Sequence, residues 1–174
     1  MEKTKIEGLF KLLNFNQTDT RGLFNKNLNS KTISKINFNL QESFYSVNKK
    51  GVLRGMHFQT PPFAQDKIVY VSYGKILDVV LDLRLDSPSY GLHDFFEMSA
   101  DSDYSLYIPS GLAHGFYTLD DNSIVNYLVS SPYSQDHDKG ILYNSFGFNW
   151  KCENPIVSKR DLSFPNFKEF KSVF

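Results

Sequence analysis

The sequence predicts an all-β domain, built as an antiparallel sandwich, jelly roll or barrel. Three observations carry that prediction. Short segments of apolar residues alternate with turn residues along most of the chain, and helical periodicity is poor. The composition is also rich in aromatics, with sixteen Phe, ten Tyr and one Trp among 174 residues. Aromatic side chains favour strands, so a β-rich core accounts for most of them. A stacking pocket for a sugar or a base accounts for a few more.

The elements follow in order. The segment up to about residue 35 reads as irregular; a strand pairing across a dimer would fit it, although periodicity alone does not show one. Residues 67 to 84, KIVYVSYGKILDVVLDLR, give the clearest pattern. Ile68, Tyr70 and Ser72 alternate with Val69, Val71 and Tyr73, Gly74-Lys75 supplies a turn, and Ile76 to Leu83 continues as a second strand. The expectation is a hairpin. Residues 104 to 108 form another strand, stopped by Pro109-Ser110-Gly111. Two more run over 115 to 119 and 123 to 130, around the turn Asp120-Asp121-Asn122. A short helical piece is expected near the C-terminus, limited by Pro155 and Pro165. No repeat or linker divides the chain, so residues 1–174 read as a single domain of ordinary size.

Charge and composition exclude several classes. Nineteen basic residues balance nineteen acidic ones. A general nucleic-acid binder would show a basic excess, so no nucleic acid is expected as partner. Cys152 is the single cysteine and cannot form an internal disulfide. No stretch approaches the roughly 18 apolar residues that cross a bilayer. The N-terminal MEKTKIEGLFKLL is too charged for a secretory signal, so a cytoplasmic protein with no membrane partner is expected.

Two stretches could carry chemistry. GVLRGMHFQ, residues 51 to 59, places Arg54 and His57 three apart among two glycines and Gln59. On a regular strand those two side chains face opposite ways, but Gly55 permits a bulge that would change this. IPSGLAHGF, residues 108 to 116, places His114 after a turn and before Gly115, where a ligand can approach the backbone. Judged singly, each His reads more readily as structural. No His-x-His pair occurs, and His93 and His137 sit in polar, turn-like stretches, so no catalytic metal is expected. Lys67 opens an otherwise apolar strand; if it points inward it needs a partner, for which Asp78 or Asp82 would serve. Tyr127 and Tyr133 read by default as core and turn aromatics, and Asp161 as a surface carboxylate.

Taken in order, these pieces resemble the dTDP-4-dehydrorhamnose 3,5-epimerase family. The matching stretches are DTRGLF at 19–24, GVLRGMHFQ at 51–59, 65–91 from QDKIVYV to SPSYG, IPSGLAHGF at 108–116, the spacing from Tyr127 to Tyr133, and IVSKRDLSFP at 156–165. The resemblance implies a cupin-type jelly-roll β-barrel with short peripheral helices, a homodimer, and no metal or organic cofactor. It implies an epimerase that acts on a nucleotide-diphosphate-linked 4-keto-deoxyhexose in deoxysugar and cell-surface polysaccharide (O-antigen) biosynthesis. By position it makes His57 the general base, Asp161 the carboxylate that orients it, Lys67 the cation near the C4 oxygen, and Tyr127 the acid on the opposite face. It makes Tyr133 an aromatic near the nucleotide, Arg21 and Arg54 contacts to the diphosphate, and His114, Phe24, Lys26 and Gln59 further pocket residues.

The chemistry suits those residue types. A C–H bond beside a ketone is weakly acidic, and His supplies a base with a pKa near neutrality. A buried carboxylate holds one tautomer and supports the imidazolium. A lysine stabilises the charge that develops on oxygen, and a phenol can return the proton. Arginine binds phosphate with charge-assisted bonds.

Two departures from the family stand out. Lys26 occupies the place of a glutamate; a carboxylate accepts from thymine N3–H, whereas a lysine donates to cytosine N3 or O2. Either the base is cytosine in place of thymine, or Lys26 faces solvent, or the register with the family differs by one. In ESFYSVNKKG, Phe44 and Tyr45 replace polar residues, as an apolar wall for a deoxy sugar would require. Single inversion at C5 fits both departures. The rival readings are a ketoisomerase of the same fold and a sugar-binding module without catalysis.

Overall fold

The computed structural model describes residues 1–174. The strands are β1 (Glu2–Lys3), β2 (Phe10–Leu13), β3 (Phe15–Asp19), β4 (Gly22–Lys26), β5 (Glu42–Asn48), β6 (Leu53–Gln59), β7 (Lys67–Tyr73), β8 (Lys75–Asp82), β9 (His93–Ser99), β10 (Tyr104–Ile108), β11 (Leu112–Thr118), β12 (Ser123–Val129) and β13 (Asp138–Gly140). Helix α1 (Ser30–Ile36) lies between β4 and β5, and α2 (Lys159–Leu162) near the C-terminus. One antiparallel sheet has the order β1-β2-β10-β7-β12-β5; a second has the order β13-β6-β11-β8-β9. Val69, Val71, Leu106, Ile108 and Val125 of the first sheet meet Ile76, Val80, Met98, Leu112 and Phe116 of the second. Two antiparallel sheets closing on one apolar core make a jelly roll.

Both strands expected within 67–84 are present, but they do not form a hairpin. β7 pairs with β10 and β12, whereas β8 pairs with β9 and β11. Gly74, at φ +73°, turns the chain from one sheet into the other. The turn at Asp120–Asn122 does the same between β11 and β12. Alternation and turn residues specify a bend; they do not specify which strand lies alongside.

The second sheet is covered on both faces, which explains the unbroken apolar run in β8. Ile76, Asp78 and Val80 point into the core, and Val79 and Leu81 point outward. The outward layer packs against Ile141, Trp150, Phe146, Phe148, Phe167, Phe170 and Phe174. Much of the aromatic excess therefore covers a sheet from outside.

The N-terminal segment is more regular than expected. β2 joins the first sheet beside β10, and β3 and β4 form a separate hairpin. Helix α1 is short, and only Ile33 and Ile36 pack from it against the cluster of Leu12, Phe38, Ile68 and Tyr107, too brief a stripe for a sequence reading to find. Asn29 caps its start and Asn37, in the left-handed region, ends it. The C-terminal helical piece is one turn, α2, lying between Pro155 and Pro165 as expected.

Candidate active site

The site forms where β6 and β11 cross the barrel. His57 pairs with His114 and Arg54 with Phe116, so Gly55 and Met56 of β6 stand against Gly115 alone. That one-residue bulge puts Arg54 and His57 on the same side. The two glycines make the crossing possible. A Cβ on Gly55 would lie 2.5 Å from Gly115 Cα, and Gly55 has φ +139°. Arg54, His57 and His114 line one cavity of about 370 Å³, with Phe44, Ser46, Lys67, Tyr127, Tyr133 and Asp138.

Asp161 reaches His57 from the far end of the chain. Ile156 bridges Val52 in parallel, with Ile156 N–H donating to Gly51 O at 2.8 Å and Leu53 N–H to Ile156 O at 2.9 Å. Ser158 then caps α2, and Asp161 lies buried beneath β6. Its Oδ2 accepts from Gly55 N–H at 3.1 Å and its Oδ1 stands 3.0 Å from His57 Nε2. Nε2 is buried and has no other polar partner. A carboxylate at that distance favours the tautomer that carries its proton on Nε2. Burial alone would raise the Asp161 carboxyl, but the His57 bond and charge, with Gly55 N–H and Ser158, hold it below the usual carboxylate range. Phe164 meets the His57 ring edge-on at 5.7 Å and packs on Gly140, closing the back of the pair.

Lys67 points inward from the first sheet and is buried. Its ammonium donates to His57 O at 3.2 Å. Burial lowers its pKa to about 8, against the opposing pull of Asp138 and Asp78. Asp78 is not its hydrogen-bond partner. Asp78 Oδ2 instead contacts His114 Nε2 at 2.7 Å, both groups buried, while Asp82 pairs with Arg84 at 2.7 Å. Burial raises the Asp78 carboxyl, partly offset by His114 and Lys67.

Tyr127 faces these groups from β12, with its ring 6.3 Å from that of His114. Burial raises its phenol well above the ordinary value, partly offset by Ser46. Arg54 Nε donates to Asn48 Oδ1 at 2.7 Å, and buried Asn48 is itself tied to Ser46 and Ser123. Arg54 lines the cavity with no other hydrogen bond to its guanidinium.

Residues 3–169 match the family model for dTDP-4-dehydrorhamnose 3,5-epimerase. The chain belongs to the dTDP-4-dehydrorhamnose 3,5-epimerase family. It is an isomerase of nucleotide sugars. The enzyme of that name from Sinorhizobium fredii is 36% identical over 162 residues, 90% of this chain and 83% of that protein. The Bacillus anthracis enzyme, crystallised with TDP and PPi, superposes with TM-score 0.89 at 36% identity, covering 94% of this chain and 97% of that one. A 3′-monoepimerase from Streptomyces bikiniensis, in complex with dTDP-quinovose, gives TM-score 0.89 at 27% identity over 95% and 87% of the two chains. The shared fold is the cupin-type jelly roll.

Among the residues that membership in the 3,5-epimerase family implies, the fold gathers His57, Asp161, Lys67, Tyr127, Arg54, His114 and Tyr133 around one cavity. Tyr133 is exposed at its mouth, its N–H donating to Glu42 at 3.2 Å. Gln59 also lines the wall, but its amide is already engaged. Nε2 donates to Phe63 O at 2.9 Å and Pro132 O at 3.1 Å, and Oε1 accepts from Ser134 N–H at 2.7 Å. Gln59 thus ties two loops together at the cavity wall. Arg21, Phe24 and Lys26 are exposed on the β3–β4 hairpin and do not line this chain's cavity. Arg21 is paired with Asp19, and Lys26 lies 6.0 Å over the Phe24 ring. Of the two apolar departures, Phe44 faces the cavity, whereas Tyr45 points outward and is exposed. Asp138 was missed. It sits in the polar run DHDKG, where nothing local separates it from a surface carboxylate. The structure pairs it with Arg160 at 2.7 Å and brings its charge to bear on Lys67. His93 packs against Phe146 and Phe148, His137 bonds Thr60, and no group of three or more His, Cys, Asp or Glu is placed to hold a metal ion.

Proposed function

We propose that the chain inverts C5 of a 4-keto-6-deoxyhexose carried on a nucleoside diphosphate, by removing the proton beside the ketone and returning one to the other face. The observation that carries this reading is the opposition of His57 and Tyr127. His57, backed by Asp161, projects from one sheet; Tyr127 projects from the other; Lys67 stands in the same cavity. A binding module has no use for a base and an acid on opposed walls. His57 Nδ1 takes the C–H proton, and the electron pair moves onto the C4 oxygen beside the Lys67 ammonium. Tyr127 then gives its phenolic proton to carbon from the opposite side. Solvent reprotonates the phenolate and takes the proton from the imidazolium, so the step needs no other reactant. Arg54 holds the diphosphate, and that remote binding keeps the ring in reactive geometry.

A homodimer completes the site in this reading. The hairpin carries Arg21, Phe24 and Lys26 away from its own cavity, with Phe15, Leu23 and Phe24 exposed. Strand β5 beside the cavity has a free edge and exposes Tyr45 and Val47. A second copy would bring Arg21 to the diphosphate and Lys26 to the base. Mixing inactive His57→Ala and Arg21→Ala subunits should regenerate active hybrids; a mixture that stays inactive removes the shared site. Calorimetry with dTDP and CDP reads the base: tighter dTDP supports thymine, and tighter CDP makes Lys26 a cytosine donor.

The deciding experiment is proton exchange in heavy water on a dTDP-linked 4-keto-6-deoxyhexose, followed by NMR. Deuterium at C5 with inversion supports the proposal, and deuterium at C3 as well adds the second centre flanking the ketone. A carbonyl that moves to C3 makes the chain a ketoisomerase. Wild-type exchange in His57→Ala would refute the base assignment.

A further inference from the structure

Phe44 lies directly across from Tyr127 in the β5–β12 ladder. Their rings stack with centroids 4.8 Å apart and planes 19° from parallel. Phe44 lines the cavity yet is 48% exposed, whereas Tyr127 is 9% exposed. One face of the phenol is therefore shielded by a single ring on an edge strand, and His114 approaches it edge-on at 6.3 Å. No other aromatic ring stacks face to face on Tyr127. An Ala at 44 would leave that face open to water.

We propose that Phe44 is a positioning residue for Tyr127: its ring fixes the plane of the phenol and keeps water from the carbanion, so that the returning proton comes from Tyr127 alone. This rests on the reading of Tyr127 as the acid. The inference follows from what each step needs. Abstraction by His57 requires neither Phe44 nor Tyr127. Inversion requires a phenol aimed at the far face before water or the imidazolium returns a proton to the near one. Loosening the phenol therefore separates two quantities that the intact site keeps together: deuterium exchange into recovered substrate, and net inversion.

The test measures both in heavy water on a dTDP-linked 4-keto-6-deoxyhexose. For Phe44→Ala the ratio of exchange to inversion should rise roughly 2- to 10-fold, the equilibrium equivalent of a stacked aromatic pair, with KM little changed. Phe44→Tyr keeps the stack and should restore the wild-type ratio. Equal loss of exchange and inversion in Phe44→Ala, a change in KM alone, or failure of Phe44→Tyr to restore the ratio would each overturn the proposal. Tyr127→Phe separates the two levels. If it raises the ratio and Phe44→Ala does not, the role of Phe44 falls and the acid stands. If Tyr127→Phe leaves the ratio unchanged, the acid assignment fails and the Phe44 proposal fails with it.

Discussion

Lys67 offers a stability measurement that reports directly on the active site. Its side chain is buried and its pKa is lowered from 10.5 to about 8, chiefly by burial. A lysine with a depressed folded-state pKa binds fewer protons folded than unfolded. It therefore costs stability at low pH, and the cost is relieved as pH rises from about 8 towards 10.5. Integrating that linkage gives a cost of about 3 kcal/mol at pH 7, about 2 at pH 9 and under about 1 at pH 10. Lys67→Met keeps the stem and removes the charge. Lost contacts and the unpaired pull of Asp78 and Asp138 shift the variant by some offset, but the pH-dependent part must vanish. The stability difference between variant and wild type, measured by urea unfolding, should thus move against the variant by about 1 kcal/mol from pH 7 to pH 9. The variant should also lose turnover by about two to three powers of ten, as when an oxyanion donor is removed. A difference that stays flat across that range would refute the buried, charge-strained lysine.

Asp161→Asn should lower turnover by about 10²- to 10⁴-fold with little change in binding, since in the proposed mechanism its carboxylate fixes the His57 tautomer. Because the Asp161 carboxyl is held below its ordinary pKa, its stabilisation is present above the unfolded value near 4 and is lost as pH falls through the lower folded value. Acid unfolding of the variant should lack that component. Gln59→Ala should lower stability by about 2 kcal/mol with KM nearly unchanged, because it strands Phe63 O, Pro132 O and Ser134 N–H; a large rise in KM would return Gln59 to the substrate. Gly115→Ala places a Cβ 2.7 Å from Arg54 O and 2.8 Å from Met56 Sδ. It should cost about 1–3 kcal/mol by overpacking and reduce turnover by displacing the bulge that aims His57; thermal unfolding and kinetics check both.

The class of fold was legible because period-2 patterning and turn residues are local properties. The strands over 67–73, 104–108 and 123–129 follow from them. Their partners do not. Gly74 marks a bend equally well for a hairpin and for a corner between sheets, and only the packing of Val71 and Ile76 into one core decides for the corner. The opposing facing of Arg54 and His57 on an ideal strand was resolved the same way, by a bulge that Gly55 and Gly115 make possible and that β11 imposes.

The site divides along the same line. The sequence by itself determined which chemical groups are present and, through the order of its motifs, which family they belong to. It placed His57, Lys67 and Tyr127 as candidates without showing that they line one cavity. Tertiary structure alone carried Asp161 under the His57 ring, matched His114 and not Lys67 to Asp78, spent Gln59 on two loops, and set Phe44 on the face of Tyr127. The physical reason is that residue type is a property of one position. A catalytic pair, a buried partner and a shielded face are properties of distances between positions, and those exist only once the two sheets have closed on each other.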